Sequence, residues 1–267
     1  MDPLLALDLH CHLLPGIDDG AKTLDDTEKI ARRLVEAGIP AVVASSHIMA
    51  DLYPNRRDIL LPLVASTQAH LDALGIPLTL VPGAEVRLDV ESCRPESWLT
   101  IGDAGKYMLV ELPNGMPLIS SLEAQLFGLQ AQGITPIIAH PEREVFLQKD
   151  PSLLETWVSR GVLTQGTLCV LAGAAGERAI AAMESNLRRG LVHFMGTDGH
   201  GVDRRMRDLD KAAARLEAIV GPDNARLIRL ENPAALLSGG PVQRPTPVAA
   251  PEPEGLMAKL MGAFRKG

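Results

Sequence analysis

The hydrophobic pattern of the chain repeats one unit, in which a helical stretch ends at glycine and a short apolar run follows. Gly38 precedes the apolar run at 41–44, and Gly133 precedes a second run at 137–139. Glycine suits the position after a helix because it adopts the left-handed conformation without a Cβ clash. Helices that alternate with short apolar strands indicate parallel βα units.

Seven units of this kind can be traced along the chain. The predicted strands lie near residues 5–10, 40–46, 78–84, 107–111, 135–140, 163–170 and 192–197. The clearest helix is predicted over 24–37, with Thr23 as its N-cap and Gly38 at its end. Seven βα units within about 240 residues favour a closed α/β barrel, and an open doubly wound sheet is the alternative.

The composition changes after Leu237. Small residues and then five prolines between 241 and 253 predict a flexible or extended linker over 239–255. The residues that follow, 256–267, combine spaced Leu, Met and Phe with Lys and Arg, which fits either a frayed tail or a helix that docks on a partner or a membrane surface. The predicted organisation is a barrel over 1–238, then the linker, then this short amphipathic tail.

Composition and charge narrow the classes of function. The 267 residues are 46% hydrophobic and 22% charged, which is typical of a globular protein. The net charge of −7 argues against a general nucleic-acid binder. Three cysteines make no disulfide framework, and the N-terminus carries no signal-peptide pattern. We therefore expect a cytoplasmic protein without a transmembrane segment and without a nucleic-acid partner.

The strongest local signal for chemistry is the segment from Asp8 to His12, which reads Asp-Leu-His-Cys-His. Residues two apart on a strand face the same side, so His10 and His12 should converge while Cys11 faces away. Two imidazoles on one side suit a divalent metal ion.

Further His and carboxylate residues follow the other predicted strands. They are His47, Glu85, Glu111, His140, Asp198 and His200, with the acidic pair Asp18 and Asp19 in the loop after the first strand. All strands of a parallel barrel end at one face, so the sequence predicts a single metal-binding cluster there. His70 and His193 lie elsewhere and are interpreted as ordinary surface or core residues.

The segment 10–20, which reads HCHLLPGIDDG, resembles the opening motif of the bacterial metal-dependent protein-tyrosine phosphatases. These belong to the polymerase and histidinol phosphatase (PHP) superfamily and are associated with capsule and exopolysaccharide synthesis. Similar segments follow in order at Ser46-His47, Gly83-Ala84-Glu85, Val110-Glu111, His140-Pro141-Glu142-Arg143, Thr197-Asp198-Gly199-His200 and Glu231-Asn232-Pro233. The resemblance covers roughly residues 7–240 and implies a distorted (β/α)7 TIM-like barrel, the PHP fold, in agreement with the strand count.

The resemblance also implies a site for three divalent metal ions. By position, the ligands of the first ion are His10, His12, Glu85 and Asp198. Glu85, Glu111 and His140 would hold the second ion, and Asp19, His47 and His200 the third. Asp18 replaces Asp19 if the loop is shifted by one residue. Manganese is the usual metal of the family, with iron or zinc as alternatives, and the mixed nitrogen and oxygen ligands do not choose among them.

Charge counting on these ligands supports a phosphate substrate. Four carboxylates against three divalent ions leave about +2, which matches the roughly −2 of a phosphomonoester near pH 7. The resemblance implies hydrolysis of phosphotyrosine by a hydroxide generated at the metals. The expected substrate is a bacterial tyrosine kinase or a related protein of polysaccharide biosynthesis. Arg143 and Arg205 are the predicted phosphate-binding residues, and Arg204 is the alternative to Arg205.

Two other functions stay open on the sequence alone. The first is a small-molecule phosphatase, for example for histidinol phosphate, although the opening Pro15–Gly20 fits the tyrosine phosphatases better. The second is a non-catalytic binding module, which the intact set of ligand positions disfavours. A covalent cysteine mechanism is disfavoured as well, because the sixth residue after Cys11 is Ile17 and not arginine.

Overall fold

The computed structural model describes residues 2–89, 93–113, 115, 117–202 and 204–249. Within them, seven strands form one sheet in chain order, and every neighbouring pair is parallel. The strands are β1 (Asp8–Cys11), β2 (Ala41–Ile48), β3 (Thr79–Arg87), β4 (Tyr107–Glu111), β5 (Thr135–Ala139), β6 (Leu163–Thr167) and β7 (Phe194–Gly196). Backbone hydrogen bonds from Asp198 to His10 and from His12 to Gly199 join the two edges, so the sheet is a nearly closed barrel.

The predicted barrel is confirmed, and each predicted strand has a counterpart. The sixth strand is shorter than predicted, because it ends at Thr167 and Leu168–Leu171 form a helical turn instead. All four residues of that turn are buried. A short apolar run that is buried on every side does not reveal its period, which is why the sequence suggested a longer strand.

Helices connect the strands on the outside of the barrel. They are α1 (Leu24–Glu36), α2 (Arg57–Ala73), α3 (Ile119–Ala131), α4 (Val145–Lys149), α5 (Pro151–Ser159), α6 (Leu168–Leu171), α7 (Glu177–Arg188), α8 (Leu209–Val220), α9 (Pro222–Arg226) and α10 (Asn232–Leu237). The predicted start of α1 is confirmed: Thr23 Oγ1 accepts from Asp26 N at 3.2 Å, while Asp26 Oδ2 accepts from Thr23 N at 3.2 Å. This reciprocal cap satisfies two backbone donors that the helix itself leaves unpaired.

Alternation along the strands produces two apolar layers. Val42 and Val110 face outward and pack with helix residues such as Leu34, whereas Val43 and Leu109 face into the barrel. The interior cluster draws on strands β1, β2, β4, β5, β6 and β7, and it fills the end of the barrel at which the strands begin. The opposite end, where the strands finish, is left for polar side chains.

The proline-rich segment at 240–249 crosses the end of the barrel where the strands begin. Tyr107 Oη donates to Gly240 O at 2.9 Å, and Asn232 exchanges two hydrogen bonds with the backbone of Gln243. Val248 N then donates to Arg188 O at 2.8 Å. The segment is therefore extended and bonded to the barrel, and the predicted tail at 256–267 lies outside the described residues. None of the helices in the described ranges is long and apolar enough to span a lipid bilayer.

Buried His193 makes part of the stability dependent on pH. Burial, aided by the charge of Arg244, lowers the pKa of His193 to about 3, and its Nδ1 accepts from Thr164 N at 3.2 Å. In the unfolded chain the pKa is about 6.5, so below that pH unfolding takes up a proton that the native state excludes. The contribution of His193 to stability is complete above pH 6.5 and is lost progressively towards pH 3.

His193→Asn keeps the acceptor for Thr164 N but removes this titration. Between pH 7 and pH 5, the free energy of unfolding of the parent protein should fall by about 2 kcal/mol more than that of the variant. Urea denaturation of both proteins at the two pH values measures the difference. An equal fall in both proteins would show that the pKa of His193 is not lowered in the native state.

Candidate metal centre

Interior positions change from apolar to polar towards the C-terminal ends of the strands. Val43 in β2 and Leu109 in β4 belong to the interior cluster, and the same alternation turns His47 and Glu111 inward nearer the C-terminal ends of these strands. Glu85 in β3 lies beside His47 in the register of the sheet. Because all strands run parallel, these residues form one layer at the mouth of the barrel.

Three further side chains reach this layer through irregular backbone. His140 directly follows the last residue of β5, and Asp198 is the second residue after the end of β7. Both have left-handed φ angles, +34° and +50° respectively. Strict alternation after inward-facing Ala139 would turn His140 away from the interior. In β1 the register shifts between Asp8 and Cys11, so His10 faces inward directly after the inward-facing Leu9.

Glu85 is the centre of the cluster and is 1% exposed. Its Oε2 lies 3.2 Å from His10 Nε2, 3.3 Å from His12 Nε2 and 3.0 Å from His47 Nδ1. Its Oε1 lies 3.0 Å from His140 Nε2. Four imidazoles therefore surround one buried carboxylate, which is an arrangement that metal sites with a bridging ligand share.

The contacts of His10 and His12 test whether these residues fit a metal ion. His10 Nδ1 lies 2.9 Å from Gln165 Oε1, and His12 Nδ1 lies 3.0 Å from Asp18 Oδ2, so both protons are assigned to Nδ1. The two Nε2 atoms, only 3.0 Å apart, then face each other as lone pairs. Two ligands about 2.1 Å from one ion and roughly 90° apart have this separation.

Unpaired buried atoms are a second observation that fits a bound cation. His47 Nδ1 and Glu85 Oε2 are buried and lie 3.0 Å apart, yet neither has a hydrogen-bond partner among the described residues. Buried polar atoms without partners are rare in native structures and call for a ligand, water or ion. The histidine nitrogens and carboxylate oxygens of the cluster therefore fit a divalent metal ion.

The possible ligands form four overlapping groups whose ligand atoms lie within 4.8 Å of one another. The groups are His10, His12 and Asp198; His10, Glu85 and His140; His47, Glu85 and Glu111; and His12, Asp19, His47 and His200. Together they contain all nine predicted ligands and no other described residue. Their grouping differs from the predicted division over three ions, since His10, His12 and His47 each belong to two groups.

The neighbouring acids Asp18 and Asp19 have different surroundings. Asp19 Oδ1 lies 3.4 Å from His47 Nε2 and 3.2 Å from His200 Nε2, and the side chain is half exposed. Asp18 is buried and already accepts hydrogen bonds from His12 and from two backbone N–H groups. Burial opposes ionisation of Asp18, but these hydrogen bonds outweigh it and hold its pKa below the usual range. Asp19 is therefore the acid that faces the cluster.

Two arginines approach the cluster through Asp198. Arg143 Nη1 lies 2.6 Å from Asp198 Oδ2, and Arg205 Nη1 lies 3.2 Å from Asp198 Oδ1. Burial opposes ionisation of Asp198, but His10, Arg143 and other cations outweigh it and keep its pKa low. Arg204 is exposed at the surface, so Arg205 is the member of the pair at the site.

Some residues of the site were missed as functional candidates by sequence reasoning. Gln165, inside the predicted sixth strand, was not among the candidates, yet it is fully buried and contacts His10. Tyr53 stacks on His47 with ring centroids 5.4 Å apart. Asp8 joins β1 to β7 by accepting from Thr197, and burial raises its pKa to about 6. Of these three residues, only Gln165 could have been found from the sequence, because it is a polar residue at an interior position of a strand.

Fold and site together define the class: a parallel βα-barrel protein with a cluster of candidate metal ligands at the end of the barrel where such proteins carry out catalysis. The chain belongs to the capsular polysaccharide synthesis family CpsB/CapC, whose model matches residues 6–238. The match ends just before the proline-rich segment.

Similar proteins agree with this membership. The chain is 32% identical to the tyrosine-protein phosphatase YwqE of Bacillus subtilis, over 90% of this chain and 95% of YwqE. It is 23% identical to the tyrosine-protein phosphatase CpsB of Streptococcus agalactiae, over 86% of this chain and 98% of CpsB. A solved structure from work on YwqE and the Streptococcus pneumoniae CpsB, described as unique metal-dependent tyrosine phosphatases, matches with a TM-score of 0.82 and 32% identity. That match covers 91% of this chain and 100% of the other.

Proposed function

We propose that this chain is a metal-dependent protein-tyrosine phosphatase that hydrolyses phosphotyrosine in a protein of polysaccharide biosynthesis. The observation that carries the proposal is the cluster of five histidines and four carboxylates around Glu85. It lies at the mouth of a barrel whose relatives YwqE and CpsB are named tyrosine-protein phosphatases. The partner class is a bacterial tyrosine kinase or a protein that such a kinase phosphorylates.

The proposed cofactor is three divalent metal ions, with manganese first and iron or zinc as alternatives. The proposed ligands are His10, His12, Asp19, His47, Glu85, Glu111, His140, Asp198 and His200. Bound metal ions supply a nucleophile at neutral pH and stabilise the entering and leaving oxygens of a phosphoryl group. The residues of the chain then have two tasks, which are to hold the phosphate and to admit the aryl group.

Arg143 and Arg205 are proposed to hold the phosphate. A guanidinium group donates two parallel hydrogen bonds to phosphate oxygens, and both groups already lie beside a carboxylate of the cluster. Asp198 keeps the two cations at the mouth of the barrel, where an incoming dianion meets them. The acidic chain thereby gains a cationic rim next to its ligands.

A cavity beside the cluster gives the aryl group a place. It has a volume of about 450 Å³, and its lining includes His140, Arg143, Glu144 and Val145. Val145 is exposed, so the wall offers apolar surface next to a metal-ligand histidine. A phenolate from a group of pKa about 10 leaves more readily than an alkoxide, so phosphotyrosine asks for less acid catalysis than phosphoserine.

Substrate comparison tests the function. The Mn²⁺-loaded protein should hydrolyse a phosphotyrosine peptide with a kcat/KM at least tenfold above that for the same peptide with phosphoserine, and above that for histidinol phosphate. A preference for histidinol phosphate would favour the small-molecule alternative. Full metal loading without turnover of any phosphomonoester would favour the non-catalytic alternative.

Arg143→Ala should weaken phosphate binding while the metal content stays unchanged. Loss of a charge-assisted hydrogen bond typically costs about 1.5–3 kcal/mol, which corresponds to a roughly tenfold to 150-fold lower kcat/KM. Steady-state kinetics with an aryl phosphate, together with metal analysis, measures both properties. Arg204→Ala, at the exposed neighbour of Arg205, is the control and should stay within twofold. Unchanged kinetics of Arg143→Ala would show that Arg143 does not bind the phosphate.

Cys11→Ser should retain most of the activity. Cys11 Sγ lies 3.5 Å from Gly199 O in the outer apolar layer, on the side of β1 away from His10 and His12. Turnover of an aryl phosphate and the metal content of the variant are the measurements. A loss beyond 100-fold at full metal content would contradict this geometry and reopen a role for the thiol.

A further inference from the structure

Asp18 fixes the ring of one candidate ligand and the loop that follows it. Its Oδ2 accepts from His12 Nδ1 at 3.0 Å and from His47 N at 3.1 Å, and its Oδ1 accepts from Gly20 N at 2.9 Å. The loop returns so closely over His12 that a Cβ on Gly20 would lie 2.0 Å from His12 O. One buried carboxylate thus connects the end of β1, its loop and the end of β2.

Gln165 has the matching place beside His10. Its Oε1 lies 2.9 Å from His10 Nδ1, while its Nε2 donates to Gly166 O at 2.6 Å. The carbonyl oxygen of Gly166 can only accept a hydrogen bond, so a flip of the Gln165 side-chain amide would lose the bond to Gly166. The oxygen must therefore face His10, and His10 must carry its proton on Nδ1.

The two acceptors differ in charge although their geometry is alike. A carboxylate that accepts from Nδ1 makes Nε2 a stronger electron-pair donor to a metal ion than a neutral amide does. The reason is that the carboxylate stabilises the positive charge that the ring takes on as it binds a cation. His12 should therefore bind a shared ion more strongly than His10.

We propose that Asp18 and Gln165 are positioning residues that hold the protons of His12 and His10 on Nδ1 and so present both Nε2 atoms to metal. The inference rests on the proposed metal-dependent function only in requiring that the cluster binds a divalent ion. Asp18 should have the larger effect on metal binding. It was considered as an alternative ligand on the sequence alone, and in this proposal it acts through His12 instead.

Metal affinity measured apart from turnover tests this proposal. Mn²⁺ binding to the full chain is measured by competition with a chromophoric chelator for Asp18→Asn, Asp18→Ala and Gln165→Met. Partners of this kind typically contribute tenfold to 100-fold in metal affinity. We expect affinity to fall in the order parent, Asp18→Asn, Asp18→Ala, because asparagine keeps an acceptor without the charge. Gln165→Met should lose about tenfold.

Glu142→Gln is the matched control. Glu142 is buried at the same end of the barrel and accepts from Thr167 N at 3.0 Å, but it is not among the nine candidate ligands. Its Mn²⁺ affinity should stay within twofold of the parent. Thermal unfolding of the metal-free proteins accompanies each measurement, because a merely structural role would lower the Tm and leave the affinity unchanged.

The outcomes separate this inference from the proposed function. Asp18→Asn and Gln165→Met proteins that bind Mn²⁺ as the parent does would overturn the positioning roles, whatever their Tm. If Asp18→Ala or Gln165→Met does not fold, isosteric Asp18→Asn decides, and parental affinity there overturns the proposal. A parent that binds Mn²⁺ but leaves phosphotyrosine intact would refute the function while these affinities still decide the inference. A parent that binds no metal would refute both.

Discussion

Prolonged incubation with excess chelator is expected to abolish phosphatase turnover, and added Mn²⁺ is expected to restore it. The reason is that none of the three cysteines can replace the metal ions as the source of the nucleophile. Burial raises the pKa of the Cys11 thiol well above its usual value, raises that of Cys93 to about 12, and raises that of Cys169 as well. A thiol attacks only as the thiolate, so none of the three is active near pH 7.

The loss should exceed 1000-fold, because removing the ions removes the nucleophile and the charge stabilisation together. Turnover of an aryl phosphate is followed beside the metal content of the same sample. Recovery after Mn²⁺ addition is the control for irreversible unfolding. Full turnover in protein that analysis shows to be free of metal would end the metal mechanism.

Glu85→Gln should lower kcat/KM by at least 1000-fold, which corresponds to about 4 kcal/mol of transition-state stabilisation. Glu85 belongs to two of the four ligand groups and faces four imidazoles, so its charge serves more than one ion. Glutamine keeps the shape but removes the charge, and it turns an N–H donor towards nitrogen lone pairs or a metal ion. We expect metal to be lost from more than one position.

Kinetics at saturating Mn²⁺ and metal per protein molecule measure the Glu85→Gln effect. Glu142→Gln serves again as the comparison, because Glu142 and Glu85 are both only 1% exposed. Turnover of Glu142→Gln should stay within a few-fold of the parent. That result would show that the loss in Glu85→Gln does not follow from neutralising just any buried carboxylate at the mouth of the barrel. Activity of Glu85→Gln within tenfold of the parent at full metal content would remove Glu85 from the centre of the site.

The regular part of the site could be predicted from the sequence. The meeting of parallel strand ends indicates that His47, Glu85 and Glu111 join one cluster, and the structure brings them together. The strand count likewise predicted a closed barrel. Both features depend on periodicity, which a sequence displays directly.

The irregular part could not be predicted in the same way. His140 and Asp198 enter the cluster through left-handed backbone, and His10 does so through a shifted register in β1. Local conformations of this kind are imposed by the packing of the surrounding barrel and leave no period in the sequence. The places of His140 and Asp198 after predicted strands, and the spacing of His10 to His12, predicted that these residues join the cluster, but not the backbone conformations that bring them there.

Contacts between distant segments were the least accessible. Gln165 is 155 residues from His10, and its role depends on the closure of the barrel. The same holds for the pairing of Asn232 with Gln243, which needs the proline-rich segment to pass under the barrel. Composition predicted that this segment is extended or flexible, but it contained no information on the partner.

The path of the proline-rich segment sets the face of the barrel at which the described part of the chain ends. Val248 is bonded to Arg188 at the last residue of α7, on the face where the strands begin, whereas Glu85 and its neighbours lie at the opposite face. An enzyme tethered through that end to a bead, a sensor surface or another protein would present its open mouth outward. Immobilisation through the C-terminal side should therefore preserve access for large phosphorylated proteins.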